Sequence, residues 1–386
     1  MKNKEPFFSR IKTSNKILFC GDICLNDDDY NISKSTIDLF KQADFRIANL
    51  EAPILVKEKT KHPLPKAGSN LFQTPESIDK LCKILNINYF GGANNHISDY
   101  GLDGVESTQK FLIKKNIIFF GAGRNKDESK KYVNLTDKIV VLAVAEDEFG
   151  VSSDTQFGYY SIYNTEITET VKMLCKLGKI VIIYGHGGGE EIPLPSSYLR
   201  NRYRELIDFG AKVVVSHHPH IPQGYEKYKN GLIYYSLGNF IHSSYKKSYG
   251  NILVLEIGRN NILSGNLYAV HTNYQDLNVS KLNLLEKKYL KNINNVLEDS
   301  NKYNSILNIL SVDMFNSYYK GYFSQMNFKV NNSNLLLLSV LIRNRSHREF
   351  ILNAISVLTN KIGNKNNIID NLKYRQFKSF IKSKLS

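Results

Sequence analysis

The stretch Val213-Val214-Val215-Ser216-His217-His218-Pro219-His220 decides how this chain reads. A short apolar, β-branched run gives way to three imidazoles within four positions. Such a run fits a strand covered on both faces, as in the sheets of α/β proteins. Polar groups at the carboxyl ends of such strands stand where open α/β sheets build their sites, and imidazole is the commonest metal ligand. Working outward, Ile17–Cys20, Phe45–Ala48, Tyr89–Gly92, Ile117–Phe120, Ile139–Ala145 and Ile180–Tyr184 have the same buried-strand texture. Amphipathic stretches at Ser77–Leu85, Asp103–Lys114, Ile167–Leu177 and Tyr198–Phe209 alternate with them, which is the α/β signature. Leu232–Ser236, Ile252–Ile257 and Asn266–His271 then read as strands, and after Gln275 glycine becomes rare and helical periodicity takes over. The expected organisation is a flexible segment 1–15, an α/β domain 16–275 and a basic helical region 276–386.

Several strand ends carry polar groups of one kind. Ile17–Cys20 runs into Gly21-Asp22, and Phe45–Ala48 into Asn49-Leu50-Glu51, whose amide and carboxylate, two residues apart, share one face of a strand. Tyr89–Gly92 leads into Ala93-Asn94-Asn95-His96, followed by Asp99. Ile180–Tyr184 leads into His186-Gly187-Gly188-Gly189-Glu190, whose glycines let backbone approach a ligand closely. The last such element is Ser236-Leu237-Gly238-Asn239-Phe240. Any one of these is as readily a cap or a turn; together they are a set of hard oxygen and imidazole donors suited to Mn, Fe, Zn or Mg. The glycine spacing does not make a dinucleotide fingerprint, and no P-loop or nucleophile-elbow motif competes. Asp, Glu, Asn and His in this mixture suit a one- or two-metal hydrolytic centre. Of the nine histidines, His242 follows a Gly-Asn turn and His347 lies alone in the helical tail.

The 386 residues carry a formal net charge of +15, of which residues 276–386 contribute +10, from seventeen Lys/Arg against seven Asp/Glu. That excess points to an anionic partner or to a solvated basic face. Nucleic acid is not favoured, because no aromatic-basic motif accompanies the charge. Cys20, Cys24, Cys82 and Cys175 form no CxxC pair and read as buried thiols of a reducing compartment. Met1–Lys16 does not read as a signal peptide, and Leu335–Ile342 is far short of the roughly 20 apolar residues that span a bilayer. The expectation is a cytoplasmic protein. Ile368–Leu385 reads as an amphipathic basic helix that either docks on the domain or lies on an anionic membrane surface.

Six ordered motifs resemble those of the CapA family: Gly21-Asp22, Asn49-Leu50-Glu51, Ala93–His96 with Asp99-Tyr100-Gly101, His186–Glu190, His217-His218-Pro219-His220 and Ser236–Phe240. That family is linked to capsule and poly-γ-glutamate synthesis and is similar to the calcineurin-like metallophosphatases. The resemblance covers roughly Lys16–Gly258. It implies a four-layer α-β-β-α sandwich with a divalent metal site at the strand ends. On that likeness Asp22 ligates one metal, Glu51 takes the bridging position, Asn95 is an amide ligand and His96 is the acid to the leaving group. His186, His218 and His220 complete the ligand shells, with His217 and His220 as the alternative pair. Asn49, Asp99, Glu190, His217 and Asn239 surround them or touch substrate. Metallophosphatases begin with Asp-x-His, whereas Cys24 stands at the histidine position here. The implied function is a metal-dependent hydrolase of a phosphoester or amide-type bond in cell-surface polymer metabolism. The alternative is a non-catalytic factor that binds an anionic polymer or assists assembly.

Overall fold

The computed structural model describes residues 14–56, 62–66, 68–258, 262–273, 276–319 and 332–360. In chain order its strands are β1 (Asn15–Cys24), β2 (Asn31–Ile32), β3 (Phe45–Leu50), β4 (Tyr89–Gly91), β5 (Ile118–Phe120), β6 (Ala122–Gly123), β7 (Val133–Asn134), β8 (Ile139–Ala145), β9 (Gly158–Tyr159), β10 (Ile180–His186), β11 (Val213–His217), β12 (Tyr225–Tyr228), β13 (Gly231–Tyr234), β14 (Asn239–His242), β15 (Lys247–Ile257), β16 (Ile262–Asn273) and β17 (Asp276–Lys281). The helices are α1 (Lys34–Lys41), α2 (Pro75–Leu85), α3 (Gly101–Lys114), α4 (Lys126–Ser129), α5 (Glu166–Lys176), α6 (Ser197–Asp208), α7 (Leu284–Glu298), α8 (Ser300–Met314), α9 (Asn332–Arg343) and α10 (Arg345–Asn360).

Two sheets form. The larger runs β2-β17-β16-β15-β1-β3-β4-β5, with β14 also pairing with β1; the smaller runs β12-β13-β11-β10-β8-β7. Their interior strands carry unbroken apolar runs, such as Ile17–Cys20 of β1 and Ile139–Ala145 of β8, because both faces are covered. In β8, Val140, Leu142 and Val144 enter one core while Val141, Ala143 and Ala145 enter another, as the two-residue period of a strand requires.

Three cores follow from that alternation. The middle one lies between the sheets: Ile17, Phe19 and Ile47 of the larger face Val141, Ile182, Tyr184 and Val215 of the smaller. On the far side of the larger sheet, Leu18 and Cys20 pack with Phe40 of α1, Ile78 and Leu81 of α2 and Leu112 of α3. On the far side of the smaller sheet, Val181 and Val214 pack with Val171 of α5 and Leu199 and Tyr203 of α6. The layers are therefore helix, sheet, sheet, helix.

The helix starts are capped as their sequences suggest. Ser33 and Thr74 accept from Thr36 and Ser77 backbone N–H at the heads of α1 and α2, and Asn283 with Glu286 makes a capping box on α7. The C-terminal region is helical, as its texture implies. Tyr289, Ile293, Tyr303, Leu307, Leu310 and Phe350 from α7, α8 and α10 join the same core as α5 and α6. The change of texture at residue 275 coincides with the β16–β17 hairpin, and β17 is a strand of the large sheet.

The cysteines make no disulfide. Cys20 and Cys24 are buried, whereas Cys82 and Cys175 are only half-buried on α2 and α5. Among the described residues no helix is long and apolar enough to cross a membrane. The basic segment Ile368–Leu385 lies outside the described residues.

Candidate metal centre

The carboxyl ends of β1, β3, β10 and β11 meet at one edge of the sandwich. Close backbone approach makes the meeting possible. A Cβ on Gly21 would lie 1.7 Å from the Gly238 carbonyl oxygen, and Gly238 itself has φ +69°, so glycine is required on both sides. The Asp22 N–H then donates to the Gly238 carbonyl at 3.2 Å. Asp22 and Glu51 are each 0 % exposed.

Asp22 is held by hydrogen bonds. Oδ1 accepts from Asn49 Nδ2 at 2.7 Å, and Oδ2 accepts from the His218 backbone N–H at 3.1 Å. His186 Nδ1 and His220 Nδ1 each lie 3.7 Å from its carboxylate. Burial, then the Glu51 charge, raises its pKa above the usual carboxylate range. Glu51 is different: neither oxygen accepts a hydrogen bond among the described residues. Around it stand His186 Nε2 and His220 Nε2, each at 3.8 Å from Oε1, and His242 Nε2 at 3.3 Å from Oε2. Burial pushes its pKa up despite these neighbours.

The histidines occupy distinct positions. His186 Nε2 lies 3.0 Å from both Asn95 Oδ1 and His218 Nδ1. His217 Nδ1 meets the Gly185 carbonyl, which leaves Nε2 facing inward without a hydrogen bond. His218 Nε2 also makes none. Burial holds His217 down at about 4. Burial alone would lower His220 too, but Glu51 and Asp22 raise it to about 9, and Asn239 Oδ1 sits 2.8 Å from its Nδ1. His218 and His220 have φ of 104° and 58°. Such backbone costs roughly 1–3 kcal/mol per residue and persists where function demands it.

Three sets of donor atoms fall within 4.8 Å of one another: Asp22 with His186 and His217, Glu51 with His186 and His218, and Glu51 with His220 and His242. An imidazole-carboxylate donor set is what a borderline divalent ion takes. The buried, unbonded atoms of Glu51, His217, His218 and His242 are what such an ion would satisfy. The residues present fit a metal. His217 and His218 fall in different sets, and neither shares a set with His220.

Asn95 is oriented from the far side, its Nδ2 donating to Glu148 Oε2 at 2.7 Å. His96 is partly accessible, with its side chain 13 % exposed. Its Nδ1 lies 2.8 Å from Asp99 Oδ2 and 3.0 Å from Lys66 Nζ, and Lys66 also pairs with Asp99. Glu190 is half-buried; burial would raise it, but His220 and His218 outweigh that and hold it low.

The sequence reading left out four groups that the fold brings here: His242, Lys66, and the pair Glu148 and His347. Glu148 Oε1 lies 3.6 Å from His218 Nε2 and 3.5 Å from His347 Nε2, and it accepts from Asn344 Nδ2 at 2.7 Å. Burial would raise Glu148, but His218 and His347 outweigh it and hold it at about 2. Beside it, Glu146 accepts from the Ser346 backbone N–H at 2.9 Å and the Gly188 N–H at 3.1 Å, and burial carries it up to about 7. The amino end of α10 thus grips two buried carboxylates behind the donor sets, a favourable place for negative charge. No local motif announces Lys66, Glu148 or His347, because tertiary packing chooses their partners.

Residues 16–244 match the family described as bacterial capsule synthesis protein PGA_cap. The capsule biosynthesis protein CapA of Bacillus anthracis is 29 % identical over 211 residues, 52 % of this chain and 51 % of its own. The PGA biosynthesis protein CapA of Bacillus subtilis (strain 168) is 28 % identical over 213 residues, 53 % and 54 %. The chain therefore spans about half the length of these relatives. Among solved structures, the Thermus thermophilus sulfate thiohydrolase SoxB in complex with glycerol superposes with a TM-score of 0.36 at 10 % identity, covering 67 % of this chain and 56 % of that one.

Proposed function

The chain belongs to the bacterial capsule synthesis protein family, and from that premise we propose that it is a metal-dependent hydrolase of a phosphoester or amide-type bond in capsule or cell-surface polymer metabolism. One observation carries the reading: the Glu51 carboxylate is fully buried, makes no hydrogen bond among the described residues and is ringed by imidazoles. Leaving such a charge unsatisfied costs several kcal/mol, a cost that an ion would offset. Asp22, Glu51, Asn95, His186, His218 and His220 would hold one or two divalent ions. When bound, such an ion lowers the pKa of a water and polarises a phosphoryl or carbonyl oxygen.

The chain's own groups supply the rest. Asp99 accepts from or orients Nδ1 of His96, which leaves Nε2 to hand a proton to a leaving group. Lys66, with only 4 % of its side chain exposed, neutralises Asp99 and adds positive charge beside His96. Glu148 fixes the Asn95 amide so that its oxygen faces His186. The net charge of +15 supports an anionic polymer or phosphoester as the substrate class.

The test is metal analysis of the purified protein, paired with a hydrolysis screen over phosphodiesters and γ-glutamyl peptides, with His96→Ala as control. Metal-dependent turnover that His96→Ala abolishes supports the reading, and absence of bound metal sinks it. One observation favours the non-catalytic alternative: the Cys24 thiol points to the Phe72 carbonyl, at 3.9 Å, and belongs to none of the three donor sets. A fully metal-loaded protein that turns over no substrate would select polymer binding or assembly instead.

A further inference from the structure

Strand β14 reads Asn239-Phe240-Ile241-His242. A regular strand turns residues three apart to opposite faces. The ladder with β1 is not regular: Asp22 pairs with Asn239, but Ile23 pairs with Ile241 and Cys24 with His242. Phe240 is the additional residue, and it packs into the helix-side core. A bulge of this kind resets the facing of everything after it. Asn239 and His242 therefore both reach the site, the one 2.8 Å from His220 Nδ1 and the other 3.3 Å from Glu51 Oε2.

We infer that His242 is a metal ligand, completing with Glu51 and His220 a second ion position beside the one formed by Glu51, His186 and His218. This rests on the metal-dependent reading above and adds to it a residue and a count. Four observations converge. His242 Nε2 is buried and makes no hydrogen bond among the described residues. It shares one donor set with Glu51 and His220. Its ring meets that of His220 edge-on, with centroids 5.4 Å apart, and both present Nε2 toward the Glu51 carboxylate. Its ladder partner Cys24 contributes no atom to that set, so the imidazole arrives from the neighbouring strand. Two imidazoles and a carboxylate suit zinc or iron better than magnesium.

One contact opposes ligation. The Ser244 N–H donates to His242 Nδ1 at 3.2 Å, which puts the ring proton on Nε2. A ligating ring carries its proton on Nδ1 instead, and Ser244 loses that acceptor. Ser244 is exposed, so water replaces it at little cost.

The test uses the full chain stripped with a chelator, equilibrated with Zn2+ and analysed for bound metal. The wild type is expected to retain about two ions and His242→Phe about one; His186→Gln is expected to lose the other ion and the double variant both. Circular dichroism and the melting temperature of the stripped proteins check the fold, and His242→Gln replaces His242→Phe if the larger ring disturbs it. Two ions retained by a folded His242 variant would overturn the assignment, as would one ion in the wild type that the His242 substitution leaves in place. In either case the metal-dependent reading survives. A wild type that binds no zinc and no other divalent ion fails both.

Discussion

Glu51→Gln separates what the centre costs the fold from what a metal returns to it. In the metal-free protein the Glu51 carboxylate has no hydrogen bond among the described residues, and burial raises its pKa even though His220, held cationic, lies 3.8 Å away. Glutamine keeps the shape and removes the charge, and its amide can donate to the lone pair of a neutral imidazole. His220 keeps Asp22 at 3.7 Å or sheds its proton, so no cation is stranded. The variant should therefore be more stable than the wild type in chelator, by roughly 1–2 kcal/mol. The sign with pH is fixed by linkage. A carboxyl whose folded pKa lies above its ordinary 4.5 binds more protons folded than unfolded, so wild-type stability falls as pH climbs from 4.5 toward the folded value. Glutamine does not titrate, so the gap widens with pH across that window and then levels. With zinc at 100-fold over its dissociation constant, the wild type gains about 2.7 kcal/mol per ion. The variant gains little, and the order of stability inverts. Urea denaturation with chelator and with zinc, at several pH values, reads all of this. A Glu51→Gln protein less stable than the wild type in chelator at pH 7 would refute the reasoning, because the buried charge would then be stabilising the fold.

Other substitutions test other links. His96→Ala should lower turnover about 10²–10⁴-fold with metal content unchanged; loss of metal would make His96 a ligand. Asn344→Ala removes the cap that accepts from the His347 N–H at 2.9 Å and the donor to Glu148, and should cost about 1–3 kcal/mol in urea unfolding. Gly21→Ala pushes a methyl into the Gly238 carbonyl and should give little soluble protein, or a folded one that no longer binds metal; normal yield and loading would contradict the close approach. Truncation before Asn367 should abolish any salt-sensitive cosedimentation with anionic vesicles, and full-chain protein that never binds such vesicles would leave the basic tail without that role.

The parts of the fold that could be read in advance are those in which local pattern and tertiary environment agree. Ile139–Ala145 has the same bounds in sequence and structure, because a short, β-branched, unbroken apolar run suits a strand buried on both faces. Val213–Ser216 and its histidines, Asp22, Glu51 and His186 were legible for the same reason: each stands within a few residues of the carboxyl end of such a run. His242 was not. The Gly-Asn turn before it hides a four-residue strand, and strict alternation would have sent its side chain away from Asn239. Only the pairing with β1 shows the bulge. Helix α1 escaped notice because it is eight residues long and carries only Leu39, Phe40 and Thr36 as buried positions. Lys66, Glu148 and His347 come from loops and a distant helix, where one ionisable residue looks like any other until the chain has folded.

The position of β1 sets an order of events during synthesis. It lies in the middle of the larger sheet, yet among its neighbours β14 and β15 begin at Asn239 and Lys247. Contacts of such separation form late, since loop closure must precede them. At about 5–20 residues per second, the ribosome needs at least ten seconds beyond β1 to deliver those partners, and longer for the α10 residues that steady Asn95. Until then Asp22 faces an unfinished edge, and no ion can find both Glu51 and His242. Ribosome-bound chains stalled before residue 239 lack β14 and β15 and should remain open to protease across β1.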